Sequence, residues 1–352
     1  MTRKSVLMLA VFVLFGSLLG SIKTIDAAPS TTSGKTWFLK VNTLMGAINR
    51  YNVDAAGRHL LDRVNQETQG RITYKIFISS GLAKPPEVPM ALQKGIIDAQ
   101  LTGGMTFFTG IAPEIGFNMI PGVTVDWEIA EKIANNNDLN QILQKAWGKA
   151  NGHLLVHILG SSQNFFLNKK INGLDDFKGL KIGSSGGMFD RFATALGAVT
   201  VTVPSPERYH AMQSGTIDGL TVFIPGLEDY KWGEVGKQIV KPPIVDPMIY
   251  GLVIRKNLWE EFPDDIKAGF QRAIKWHWGY MKDLLTGFCE KEDEPRIIKK
   301  YKLEVLELSP SDKQKYLSKM VDMQEMFAQQ SPECRRMIEI YRTQIAPKPT
   351  VK

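Results

Sequence analysis

One stretch of this chain occurs twice. Pro86-Glu87-Val88-Pro89-Met90-Ala91-Leu92-Gln93-Lys94-Gly95-Ile96-Ile97-Asp98 returns 120 residues later as Pro206-Glu207-Arg208-Tyr209-His210-Ala211-Met212-Gln213-Ser214-Gly215-Thr216-Ile217-Asp218, with Pro, Glu, Ala, Gln, Gly, Ile and Asp kept in place. Pro is pre-set for a first helical turn, and Glu there complements the helix dipole. Each copy therefore starts a short helix at Pro-Glu. Gly95 and Gly215 suit the left-handed residue that ends such a helix. The runs that follow, from Asp98 to Thr102 and from Asp218 to Phe223, are short and mostly uncharged, as interior strands of a helix-covered sheet are. The repeat thus predicts two similar α/β lobes.

The chain is long enough for both. At 352 residues it exceeds the usual size of a single core. Arg3-Lys4, an apolar run from Val6 to Leu19 and small residues at Ala27-Ala28 read as a secretory signal peptide over residues 1–27, cleaved near Ala27. The run is shorter than the ~20 apolar residues of a spanning helix, and no later segment is long enough. No cysteine near the cleavage point offers a lipid anchor, so the expected product is exported, diffusible and not itself embedded in a membrane. Cleavage removes Arg3, Lys4 and Lys23 against Asp26, lowering the formal charge of +7 by two. The basic residues are interspersed with acidic ones, which gives no nucleic-acid footprint. Cys289 and Cys334 both fall late in the chain; a disulfide between two helices and a pair of buried thiols both fit.

Along the chain, Thr36 to Asn42 reads as a strand, Asp54 to Glu67 as a helix and Arg71 to Ile78 as a second strand, before the first repeat supplies helix and strand. A helix from Trp127 to Asn151 leads to a strand from Leu154 to Leu159. The series restarts with a strand at Leu180 to Ile182, a helix from Met188 to Leu196, a strand from Val199 to Val203 and the second repeat. The expected organisation is a first lobe over 35–157 with 248–285 returning to it, a second lobe over 158–247, and C-terminal helices over 286–352 packing on the lobes.

The order of Leu92-Gln93-x-Gly95-x-x-Asp98, Leu174-x-x-Phe177-Lys178-Gly179-Leu180-Lys181-Ile182, Ala195-Leu196-Gly197-Ala198 and Met212-Gln213-x-Gly215-x-Ile217-Asp218-Gly219 resembles the periplasmic solute-binding proteins of TRAP transporters, the DctP type. The resemblance covers most of the chain. It implies a two-lobed periplasmic-binding-protein-like α/β fold, each lobe a mixed sheet flanked by helices, with a ligand cleft between lobes. It also implies capture of a small organic acid for delivery to small and large membrane subunits; from the residues themselves neither a cofactor nor a metal ligand set is expected. Two departures stand out. The family pattern continues Leu-Lys-Ile with an Arg that grips a carboxylate, and this chain has Gly183; the family also carries an Asn near the end of the strand that follows Asp218-Gly219, where this chain has Leu220 to Phe223. Either the solute is not a simple carboxylate, or Arg191, Lys169 or the backbone amides of Gly183 to Gly187 replace the guanidinium.

Ligands of open α/β sheets bind beyond the carboxyl ends of strands. In the first lobe those ends are Asn42-Thr43, Ser79-Ser80 and Thr102 to Gly104. In the second they are Gln163, Asn164 and Phe165, then Gly183-Ser184, then Thr221 to Phe223, with Trp232 following. With Gly183 in place of Arg, the expected pocket is neutral and aromatic: Phe223 and Trp232 form one wall, and Gln163, Asn164 and Ser184 supply hydrogen bonds. An enzyme and a ligand sensor feeding a receptor are the rival readings. None of the five histidines shows a metal-binding helix spacing, and no nucleophile elbow or phosphate loop is present.

Overall fold

In both copies of the repeat the closing aspartate pins a neighbouring strand. Asp98 Oδ2 accepts the Lys40 N–H at 3.0 Å, and the Asp98 N–H returns to the Lys40 carbonyl at 2.9 Å. Asp218 treats Lys181 the same way, at 2.9 and 2.7 Å. The second carboxylate oxygen takes a cation from an antiparallel strand end: Arg255 reaches Asp98 at 3.2 Å and Lys169 reaches Asp218 at 2.7 Å. Gly95 and Gly215 end the two helices at φ +71° and +73°, where a Cβ would be strained.

The structure, a computed structural model, describes residues 34–46, 50–101, 105–184, 186–203 and 207–346. Residues 1–27, Thr102 and the side chain of Ser184 lie outside the described residues. In chain order the strands are β1 (Trp37–Asn42), β2 (Ile72–Phe77), β3 (Ala99–Leu101), β4 (Gly152–Gly160), β5 (Gln163–Leu167), β6 (Lys181–Ser184), β7 (Val199–Thr202), β8 (Gly219–Val222), β9 (Gln238–Val245), β10 (Met248–Arg255) and β11 (Glu304–Glu307). They form two mixed sheets flanked by helices, ordered β2-β1-β3-β10-β4 and β11-β9-β5-β8-β6-β7.

The duplication is visible strand by strand. β1 lies between parallel partners β2 and β3, and β6 lies between parallel partners β7 and β8. Next comes an antiparallel strand, β10 on β3 and β5 on β8. The chain crosses between the sheets three times, once through the helices between β10 and β11 and twice through short connections. β4 runs into β5 through Ser161-Ser162, and β9 runs into β10 through Asp246-Pro247, while β4 pairs with β10 and β5 with β9.

Two expectations fail for identifiable reasons, and the alternative left open for the cysteines is decided. The helix from Trp127 to Asn151 is two helices, Trp127–Asn135 and Asn137–Lys149, because Asn136 turns extended and its Oδ1 caps the second at the Leu139 N–H. The C-terminal segment over 286–352, expected as helices, is not wholly helical. After Asp264–Lys282, Asp283–Asp293 and Glu294–Lys300 the chain adds β11 to the second sheet. Cys289 and Cys334 form no disulfide; both are free, buried thiols. Cys289 lies beside Glu294, and burial with the neighbouring acids pushes its pKa far up. Cys334 starts a different helix, Pro332–Ile340, where Ser331 caps its N–H, and burial pushes its thiol up to about 11. Each thiol is held by its own neighbours.

Denaturation without reductant should therefore expose two titratable thiols per chain, and none would return the disulfide to consideration. Burial raises the Asp218 pKa, but the bonds from Lys169 and the Lys181 N–H outweigh it and hold the carboxyl below its ordinary value. Its stabilisation is thus full at neutral pH and is lost as pH falls through the carboxylate range. Asp218→Ala should cost about 1–3 kcal/mol in urea unfolding at pH 7, by leaving the Lys181 N–H unpaired. The difference from wild type should narrow as pH drops below about 4.

Candidate functional site

Parallel strands β1 to β3 and β6 to β8 send their carboxyl ends toward one another. The Gly46 N–H, just past β1, donates to Tyr230 Oη, beyond β8, at 3.4 Å. A Cβ on Gly187, past β6, would meet Thr106 Cγ2, past β3, at 3.1 Å. Arg50 starts the first-lobe helix and reaches Glu228 and Asp229 of the second lobe, both at 2.8 Å.

These contacts belong to a six-charge clasp. Arg50 Nη1 also lies 3.2 Å from Asp293, which Tyr51 Oη reaches at 2.9 Å. Arg296 and Lys300 hold Glu228 from the other side. The Asp229 and Asp293 side chains are only 4% and 1% exposed; removing Arg50 would take from Asp229 its cation, while Asp293 keeps Arg296 and Tyr51. Hydrogen bonds from Arg296, Lys300 and Arg50 hold the Glu228 carboxyl well below its usual range against burial. Burial dominates at Asp229 and pushes it up despite Arg50.

Buried polar atoms gather at the first-lobe strand ends and near the crossing. Asn42 Nδ2 donates to Gln100 Oε1 at 2.9 Å, which fixes the amide and leaves Oδ1 buried without a partner. Asn164 Nδ2 donates to Ser162 Oγ at 3.0 Å with the same result for its Oδ1, and Ser161 Oγ is also unpartnered. Gln163 is buried beside them. Thr43 Oγ1 accepts the Met45 N–H, and Ser80, with φ +66°, donates its N–H to the Thr43 carbonyl, so Ser80 shapes the turn that frames Asn42.

Other expected residues face elsewhere. Phe165 is fully buried against Phe177 at 5.0 Å and Phe192 at 6.1 Å; on β5 it points into the core, which corrects its assignment to the cleft. Gly183 is also core: a Cβ there would meet Ile217 Cδ1 at 2.6 Å and Leu220 Cδ2 at 2.9 Å. Arg191 turns toward the C-terminal helix Pro310–Ala328, with Nη1 3.2 Å from Met326 Sδ, and borders a cavity of about 70 Å³ shared with Thr106, Met188 and Phe327. Lys169 is committed to Asp218 at the amino end of β8. Phe223 is at the carboxyl end of β8, with its ring against Gly226. Trp232 is buried and stacks on Tyr230 at 4.6 Å.

Arg208, Tyr230 and Arg50 escaped sequence reading. A signal for Arg208 existed inside the repeat, where its counterpart is the buried Val88. His153, stacked on Trp259 at 4.9 Å, and His157, bonded to Asn140 Oδ1 at 2.8 Å, are structural; burial lowers the His157 pKa to about 4 and keeps it neutral.

Comparison with known proteins agrees with this architecture. Over 260 residues the chain is 23% identical to the sialic acid-binding periplasmic protein SiaP of Vibrio cholerae, covering 72% of this chain and 78% of that one. Among solved structures, a TRAP periplasmic solute binding protein from Desulfovibrio desulfuricans with bound sn-glycerol-3-phosphate superposes with a TM-score of 0.79 at 16% identity, over 87% of this chain and 97% of the other. DctP7 of Bordetella pertussis, an extracytoplasmic solute receptor binding pyroglutamic acid, gives 0.75 at 17% identity, over 88% and 100%. The model of bacterial extracellular solute-binding protein family 7, DctP, matches residues 47–330, and the chain belongs to this family of TRAP solute receptors.

Proposed function

We propose that this receptor is exported to the periplasm after cleavage near Ala27, closes its two lobes around a small organic acid and hands it to the small and large membrane subunits of a TRAP transporter. The observation that carries the reading is the meeting of strand carboxyl ends across Gly46–Tyr230 and Arg50–Asp229. A solute held there touches both lobes only when they are closed, so binding favours closure. Ser161-Ser162 and Asp246-Pro247, the two short connections between the paired strands of the two sheets, serve as the hinge. Among the described residues no helix is long and apolar enough to cross a membrane, which leaves transport to the partner subunits.

Within the cleft, Asn42 and Asn164 present fixed amide oxygens as acceptors for solute hydroxyl or N–H groups, Gln163 adds a polar contact, and Phe223 supplies apolar surface. The relatives described above support a small anionic solute: their names and titles give two organic acids and a phosphate ester.

A thermal-shift screen against organic acids and polyols should find a solute that raises Tm, since a ligand selective for the native state must do so. For that solute, Asn164→Leu should weaken binding roughly 5-fold to 150-fold, the equivalent of about 1–3 kcal/mol for a lost hydrogen bond to a buried group. Unchanged affinity would remove Asn164 from the site. Arg50→Ala should enlarge the solute-free radius of gyration in small-angle scattering. It should also weaken binding, because loss of one partner of a buried charge pair costs about 2–5 kcal/mol, here toward the low end since Arg50 is partly exposed. An unaltered scattering curve and affinity would show that the clasp plays no part in closure.

A further inference from the structure

The amino ends of β10 and β5 lie at the cleft, because these strands run antiparallel to β3 and β8, whose carboxyl ends face it. The repeat that matches Asp98 to Asp218 also matches Leu101 to Thr221, and these residues pair with Leu252 and Phe165. Two residues nearer the hinge, the equivalent positions are Tyr250 and Gln163. Each therefore stands just past one of the two short connections between the sheets, and each belongs to a different lobe.

The two side chains share an uncommon state. Both are buried to 7% exposure, yet among the described residues neither Tyr250 Oη nor the Gln163 carboxamide hydrogen-bonds to the protein. Neither polar end is sealed off, in contrast to Tyr316 Oη. A buried tyrosine ordinarily finds a partner for its hydroxyl, and a phenylalanine would pack the same ring without leaving a donor unmade. The surroundings of Tyr250 point its hydroxyl at the lobe boundary. Tyr230 of the second lobe is the titratable group that acts on the phenol, and Tyr230 Oη accepts the Gly46 N–H beyond β1. The segment past β3 covers the neighbouring residue, since a Cβ on Gly251 would meet Met105 Cε at 2.5 Å. Burial above all, with Tyr230 second, pushes the Tyr250 phenol above its ordinary value, so it stays protonated and able to donate at neutral pH.

We infer that Tyr250 and Gln163 are the donor pair of the solute site, one from each lobe, and hold a carboxylate of the solute at the hinge end of the cleft through neutral hydrogen bonds. This deepens the reading of the protein as a solute receptor and rests on it. The amide oxygens of Asn42 and Asn164 suit hydroxyl and N–H groups but repel a carboxylate oxygen; Tyr250 Oη and Gln163 Nε2 add the donors that an acid needs. Hydrogen bonds to an ionised acceptor are also the stronger kind. Because the donors come from opposite lobes, both reach one carboxylate only in the closed state, so the same bonds favour closure. The site then needs no side chain at Gly183, whose position Ile217 and Leu220 fill.

The test titrates pyroglutamate, malonate and D-glucuronate into wild type, Tyr250→Phe and Gln163→Met by calorimetry, and records the solute-free Tm of each protein. At least one acid should bind wild type. For that acid each variant should lose roughly tenfold to 150-fold in affinity, the scale for one hydrogen bond to a charged group. Tyr250→Phe should leave the solute-free Tm unchanged, since its hydroxyl bonds nothing in the protein; a fall of several degrees would show a structural hydroxyl and overturn the assignment. Unchanged affinity in Tyr250→Phe overturns it as well, and unchanged affinity in Gln163→Met breaks the pair. Should Gln163→Met fail to fold by circular dichroism, Tyr250→Phe alone decides. Equal binding by wild type and both variants leaves the receptor intact and refutes only the donor pair; a wild type that binds none of the three acids overturns both.

Discussion

The two antiparallel crossings, β4 into β5 and β9 into β10, are the constraint on which the rest of the molecule depends. Each sheet receives an antiparallel strand from this pair, so neither lobe is complete without a segment that enters from the other. The pairing of Met248 with Gly160 and of Gln163 with Val245 leaves two residues of each connection outside the ladder, and rotation concentrated there leaves both sheets intact. First-lobe backbone braces the hinge: the Gly122 N–H reaches the Ile244 carbonyl at 2.8 Å, and the Asp246 N–H reaches the Thr124 carbonyl at 3.0 Å. A motion that opens the cleft therefore works against hydrogen bonds at defined places.

The two lobes preserve what the fold requires and differ where a solute would be read. Asp98 and Asp218 pin equivalent strands and take a cation from equivalent antiparallel neighbours. Aligning Lys40 with Lys181 on that basis places Asn42 opposite Gly183, and the strand registers then place Gln100 opposite Leu220. A buried, hydrogen-bonded polar pair in one lobe faces a packed apolar pair in the other. Val88 and Arg208 reverse the pattern, apolar in the first lobe and charged in the second. The duplication has kept the pins and exchanged the polarity of positions near the cleft.

This explains what sequence could and could not reveal. The repeat, its Pro start, Gly stop and strand end are local signals, and the two-sheet architecture follows from them. β9 was hidden because Lys241-Pro242-Pro243 reads as a strand breaker, and β11 because four residues between long helices carry no period of their own. The face on which Phe165 or Gly183 emerges depends on strand register, which no single segment specifies. Arg50, Glu228 and Asp293 are far apart in sequence, and only the folded chain brings their charges within hydrogen-bonding reach.

The charges between the two lobes form one balanced group. The clasp sets Arg50, Arg296 and Lys300 against Glu228, Asp229 and Asp293, so its charges balance internally and its field falls off quickly. Such a balanced group holds the lobes together without attracting an anion. It must also be modest in strength, since a clasp that closed the protein firmly without solute would block entry, and a solute shifts the equilibrium only by its differential affinity for the closed state.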